Sequence, residues 1–131
     1  MKNVMAIGAH PDDIEFGCGG TLYKHKQNGD NIVMVVMTNT KSVNGVTGKS
    51  LRTKEELQSE SEASANVLEC DLEFLPFTDL HVPFSFESIS KLEKLMIDYK
   101  TDTIYTHWGG DTNQDHIATL KTTMASARLL P

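Results

Sequence analysis

The chain has 131 residues, a formal net charge of −6 and two cysteines, a length that suits one domain burying roughly two thirds of its unfolded surface. The acidic balance makes nucleic acid and anionic membrane poor partners. The two cysteines, Cys18 and Cys70, far apart in sequence, do not make a disulfide framework and fit a reducing compartment, the start Met1-Lys2-Asn3-Val4 carries no long apolar leader, and no run approaches the ~20 apolar residues of a membrane span; a soluble cytoplasmic protein is the expectation.

Val4-Met5-Ala6-Ile7 predicts a buried strand over about Val4–Ala9, ending in the turn His10-Pro11-Asp12-Asp13. A helix is expected from Gly19 to Gln27, with Asn28-Gly29-Asp30 as its stop. Ile32 to Met37 is a continuous β-branched and apolar run of the kind covered on both faces. Residues 38–50 are polar and read as a mobile loop. Arg52 to Leu68 reads as a helix, with a capping-box match at Thr53-Lys54-Glu55-Glu56 and a narrow face of Leu57, Ser61, Ser64 and Leu68.

Leu72 to Phe77 predicts a third strand, followed by a loop with Asp79, His81 and Pro83. A helix over about Glu87–Tyr99 places Ile89, Leu92, Leu95, Met96 and Tyr99 on one face. Thr103 to Thr106 is a fourth strand, His107 to Asn113 a loop, and a last helix runs from about Gln114 to Leu129. This βαβαβαβα order implies a Rossmann-like, three-layer α/β fold with a mostly parallel sheet. In the doubly wound order 3-2-1-4, strands one and four are neighbours and the switch point lies between their carboxyl ends. Topology then brings His10, Asp12 and Asp13 beside His107, Asp111, Asn113, Asp115 and His116.

Imidazole plus carboxylate is a mixed donor set suited to a first-row metal, zinc being the commonest. His10 and Asp13 supply two ligands from one turn, and His116 a third from the facing loop. Asp12 must project elsewhere and stands where it can take a proton from water activated by the ion. Asp115 is suited to orienting a ligand imidazole, and Asn113 or His107 to donating to an oxyanion. The plainer reading makes Asp12 and Asp13 first-turn acids favouring a helix N-terminus. His25 and His81 read as surface or loop residues, Cys18 as a small buried thiol, and Trp108 as either a sugar-stacking platform or a lid anchor. Gly17, Gly19 and Gly20 match neither the dinucleotide fingerprint nor the P-loop.

The stretch Ala9-His10-Pro11-Asp12-Asp13-Ile14-Glu15-Phe16-Gly17-Cys18-Gly19-Gly20-Thr21-Leu22 resembles the signature of the LmbE-like (PIG-L) de-N-acetylases. Asn113-Gln114-Asp115-His116 resembles their second motif, and Arg52 through Glu55, Glu56 and Ala63 to Leu68 a weaker third. The resemblance implies zinc held by His10, Asp13 and His116, with Asp12 as general base and Arg52 facing substrate. It also implies removal of acetyl groups from N-acetylglucosamine-type sugars or glucosaminyl conjugates, small molecules of the kind that precede bacillithiol and mycothiol. Family members often carry histidine where this chain has Asn113, which can donate to an oxyanion but cannot deliver a proton. Family domains are also longer, so the single domain 1–131 reads as lacking their C-terminal part, with a cut after Leu130-Pro131. The short domain and apolar last helix suit self-association. Two other readings stay open: another metallohydrolase, acting on a phosphoester or a different amide, and a non-catalytic zinc- or sugar-binding relative.

Overall fold

The computed structural model describes residues 1–40 and 42–130; Lys41, inside the polar 38–50 segment, and Pro131, in the expected cut, lie outside the described residues. The elements are β1 (Asn3–Gly8), α1 (Asp13–Gln27), β2 (Asn31–Thr38), β3 (Ser42–Val43), β4 (Ser50–Arg52), α2 (Lys54–Leu68), β5 (Asp71–Phe77), α3 (Phe86–Asp98), β6 (Thr103–Tyr105) and α4 (Gln114–Ala127). The main sheet runs β5-β2-β1-β6 with every pairing parallel. That is the expected doubly wound order, with β1 and β6 flanking the switch point.

The two inner strands are buried on both sides, which is why their sequences read as apolar runs rather than alternating ones. On one face Met5, Ile7, Val33, Val35 and Met37 pack against Leu92 and Met96 of α3, with Ala118 of α4 partly covering them. On the other, Val4, Ala6, Ile32, Met34 and Val36 meet Ile14 and Leu22 of α1 and Leu68 of α2. Side chains two residues apart share a face, so one register serves both cores: Val4 pairs with Ile32 and Ile7 with Val35.

Four local expectations are corrected. First, α1 starts at Asp13 rather than Gly19, so Gly17, Gly19 and Gly20 are helical; Cys18 alone leaves helical geometry (φ −144°, ψ 16°) and kinks the helix. Gly17 misleads because a glycine just before the expected start reads as part of the turn, whereas here it lies on a helix where a Cβ would meet nothing within 4 Å. Second, the 38–50 segment is not simply loop: Ser42–Val43 pairs antiparallel with Ser50–Arg52. Arg52 therefore ends a strand, and α2 begins after its N-cap, Thr53, in the expected capping box with Glu56. The buried α2 face is Leu57, Ser61, Ala65 and Leu68, while Ser64 turns towards Glu15 of α1.

Third, His25 is not a surface residue. Its ring is largely enclosed between the Asp30 carboxylate (2.7 Å) and the Tyr105 hydroxyl (2.9 Å), tying the end of α1 to β6. Fourth, α4 ends at Ala127, two residues before the expected Leu129. His81 is exposed, and Cys18 is half-buried, where burial raises its thiol pKa above the usual range. Among the described residues no helix is long and apolar enough to cross a membrane.

Candidate metal centre

Backbone constraints aim the first turn. Ala9, fully buried, donates its N–H to His107 Nε2 (2.9 Å) and accepts from Thr38 Oγ1 (3.0 Å), which clamps the end of β1 between β6 and β2. Gly8 has no room for a side chain: a Cβ there would lie 2.9 Å from Ile14 Cγ1 and 3.2 Å from Asp13 Cβ. Its bareness lets α1 begin against the strand end. Asp12, the N-cap residue, sits in the left-handed region (φ 81°), a strained conformation for any residue but glycine. Among the described residues its carboxylate caps no backbone N–H, which separates it from Asp13 next door and leaves its oxygens unengaged by the helix.

The second cluster is placed by the N-cap of α4. Asn113 Oδ1 accepts from the N–H groups of Asp115 (2.9 Å) and His116 (3.1 Å), so any donation to a bound molecule falls to its amide nitrogen. Asp111 supports the same turn through its Oδ1, which accepts from the Asn113 N–H (3.0 Å).

Three side chains from the two clusters converge. Asp13 Oδ2 lies 3.3 Å from His10 Nδ1 and 3.2 Å from His116 Nε2. The far nitrogen of each imidazole is held by a carboxylate: His10 Nε2 by Asp115 Oδ2 at 2.7 Å, His116 Nδ1 by Asp111 Oδ2 at 2.7 Å. A carboxylate only accepts, so these bonds fix the protons on His10 Nε2 and His116 Nδ1. The lone pairs of His10 Nδ1 and His116 Nε2 are thereby aimed at an anionic oxygen. Such an arrangement requires a cation, either a proton or a metal ion, between them.

The electrostatics agree. Burial alone would lower the pKa of His10, but the Asp13 and Asp115 carboxylates outweigh it and raise it to about 9. Burial likewise opposes ionisation of Asp13, yet its bonds to the His10 side chain and backbone lower its pKa overall. The Asn113 and His116 partners hold Asp111 down to about 2.

Asp115 is 1% exposed and fully engaged, its Oδ1 accepting from the Val82 N–H (3.0 Å) and its Oδ2 from the Leu80 N–H (2.8 Å) as well as His10. It acts on the site through His10. His107 stacks on His116 (centroids 3.9 Å apart, 14° between planes) with Nε2 occupied by the Ala9 N–H, leaving Nδ1 as its available donor. Burial and the neighbouring His116 lower its pKa. Two other trios, His107-Asp111-His116 and His10-Asp79-Asp115, also bring ligand atoms within 4.8 Å of one another. Each would have to surrender hydrogen bonds already made by His107, Asp111 or Asp115, which leaves His10, Asp13 and His116 as the set with free lone pairs.

Beside this trio opens a cleft of about 210 Å³ lined by His10, Asp12, Thr40, Arg52, Leu57 and Asp79. Arg52 reaches it from β4, half-exposed and paired with Glu60 of α2. Trp108 is exposed and lies against Gly110 rather than in the cleft wall. Two contributors carry no role in the sequence reading. Asp79 lies 3.1 Å from His10 Nε2, and Asp111 orients His116. Asp79 had one available signal, its position just past the carboxyl end of the strand beside β2, in the row of strand ends where such sheets bind ligands. Asp111 had only its membership of the loop cluster.

The family model described as PIG-L, GlcNAc-PI de-N-acetylase, matches residues 5–127. The uncharacterized deacetylase YaiS of Escherichia coli is 35% identical over 137 residues, covering 99% of this chain and 70% of that protein. The conserved protein TT1542 of Thermus thermophilus superposes with TM-score 0.82 at 27% identity, over 100% of this chain and 60% of its own. The N,N'-diacetylchitobiose deacetylase of Pyrococcus horikoshii gives TM-score 0.81 at 26% identity, over 95% of this chain and 48% of its own. The chain thus spans about half to three fifths of the length of these solved relatives.

Proposed function

The chain belongs to the PIG-L family of GlcNAc-PI de-N-acetylases, and from that premise we propose that it hydrolyses the N-acetyl amide of an N-acetylglucosamine-type sugar or glucosaminyl conjugate. One observation carries the reading: the two imidazole lone pairs and the Asp13 oxygen converge beside a cleft, each imidazole fixed from behind by a carboxylate. The donor set fits a divalent first-row ion, zinc before others, held by His10, Asp13 and His116. Such an ion supplies Lewis acidity, polarising a carbonyl oxygen and lowering the pKa of water.

The chain's own residues do the rest. Asp12, freed from capping by its left-handed backbone, takes a proton from water as the water oxygen bonds to the acyl carbon. Protonated Asp12 passes that proton to the amine nitrogen as the C–N bond breaks, giving acetate and a free amine. This assigns both proton transfers to one carboxylate and none to Asn113, whose amide nitrogen and the His107 Nδ1–H are donors towards the oxyanion. Arg52 stands across the cleft to meet the substrate's polar groups.

The test is metal analysis of the purified protein together with an amine-release screen over N-acetylated sugars. Stoichiometric zinc with amine and acetate released in equal amounts is expected. Phosphate release from model esters without amine release would replace the reading with another metallohydrolase, and zinc without turnover with a binding relative.

A further inference from the structure

The β3–β4 hairpin carries Arg52 to the lip of the cleft, yet it is a short two-stranded ribbon outside the main sheet. An isolated ribbon of that size is marginal by itself, so something must hold it over the site. One side chain bridges the two. Asp79, in the loop after β5, has one oxygen on each: Oδ1 lies 3.1 Å from His10 Nε2, and Oδ2 accepts from the N–H of Val43 in β3 at 3.2 Å. Its own N–H donates to Thr40 Oγ1 at 3.0 Å, just before the hairpin. The carboxylate is largely shielded from solvent, its side chain 12% exposed.

We propose that Asp79 is a positioning residue that latches the Arg52 hairpin to the His10 imidazole, so that the substrate-facing wall and the ligand set share one register. The kinetic part of this rests on the deacetylase reading above; the latch itself does not. Its chemistry is specific to a carboxylate. Oδ2 accepts the Val43 N–H, while Oδ1 stands as a negative charge 3.1 Å from His10 Nε2, whose N–H goes to Asp115; an amide keeps the acceptor but not the charge facing the imidazole. Asp115 takes the hydrogen bond of His10 Nε2 and reaches the 80–82 backbone, not the hairpin, so the coupling is not duplicated there.

Three variants test it: Asp79→Asn, Val43→Pro, which deletes the N–H on the hairpin side without touching the ligand set, and the double variant. Thr40→Val, which removes the acceptor for the Asp79 N–H, stands in should Val43→Pro fail to fold. Each single change is expected to raise KM for an acetylated sugar roughly 3- to 10-fold, the range for one lost hydrogen bond, with metal content unchanged in Val43→Pro. The double variant is expected to be no worse than the poorer single one, because both cut the same link. Effects that multiply, or metal lost with Val43→Pro, would overturn the latch.

A second readout needs no turnover. Val43→Pro or Thr40→Val should shift the ¹⁵N resonances of the His10 ring, and Asp79→Asn should lower amide-exchange protection at Val43. If neither changes, the proposal fails. A wild-type protein that releases no amine would instead sink the deacetylase reading and leave these two measurements to decide the latch.

Discussion

Replacing Asp12 by glycine should cost the protein its turnover, change its stability little, and leave it no less stable than the alanine variant. The residue holds φ at 81°, which for a side chain bearing a Cβ costs about 1–2 kcal/mol, less for aspartate than for alanine. Glycine removes that strain but adds about 0.5–1 kcal/mol of unfolded-chain entropy, and it surrenders roughly 0.3–1 kcal/mol of helix-dipole attraction. No capping bond is lost, because the side chain caps nothing among the described residues. The sum for Asp12→Gly lies between about −1 and +1 kcal/mol, close to no change, whereas Asp12→Ala keeps the strain and loses the carboxylate, for about −1 kcal/mol.

At ~2.1 cal/mol/K per residue, 131 residues give an unfolding entropy of about 0.28 kcal/mol/K. The gap between the two variants, strain relief less chain entropy, is at most about 1.5 kcal/mol in favour of glycine and becomes up to roughly 5 °C in Tm. Paired thermal melts and amine-release assays read both halves. Turnover should fall about 10²- to 10⁴-fold in both variants, with metal retained. A glycine variant melting below the alanine variant would refute the strain argument, and undiminished turnover would refute Asp12 as base.

Other consequences follow from the same geometry. Asp111→Ala frees His116 Nδ1 and should weaken metal binding about 10- to 100-fold in a chelator competition; because it also removes the acceptor for the Asn113 N–H at the start of α4, the melting point of the variant should fall as well. Gly8→Ala drives a methyl against Ile14 and Asp13, and should destabilise by about 1–3 kcal/mol and lower metal affinity together as α1 is pushed away. A stability loss with metal affinity intact would show that Asp13 does not depend on that contact. For protein stripped with a chelator, the His10 pKa raised to about 9 from 6.5 sets a sign. Its pairing contributes fully below about pH 6.5 and is lost as pH rises through 9. Denaturant midpoints of stripped protein should fall across that window while metal affinity rises, since the ion displaces the proton; a flat profile would remove the charged His10 pairing.

The layers and the winding were legible from the order of residues alone. Val4 to Ile7 and Ile32 to Met37 read as strands covered on both faces, and alternation with helices implies parallel crossovers of one hand; granted the doubly wound order, which the folded sheet adopts, β1 and β6 meet with the loops carrying His10 and His116 at their carboxyl ends. Those are consequences of burial and chirality, which act locally and along the chain. Four things waited on the folded arrangement: the free orientation of Asp12, the support of His116 by Asp111, the latch through Asp79, and the enclosure of His25 between Asp30 and Tyr105. A hydrogen bond is decided within a few tenths of an ångström, between groups that spacing along the chain does not relate, so those partners became legible only when the backbone had already brought the strand ends together.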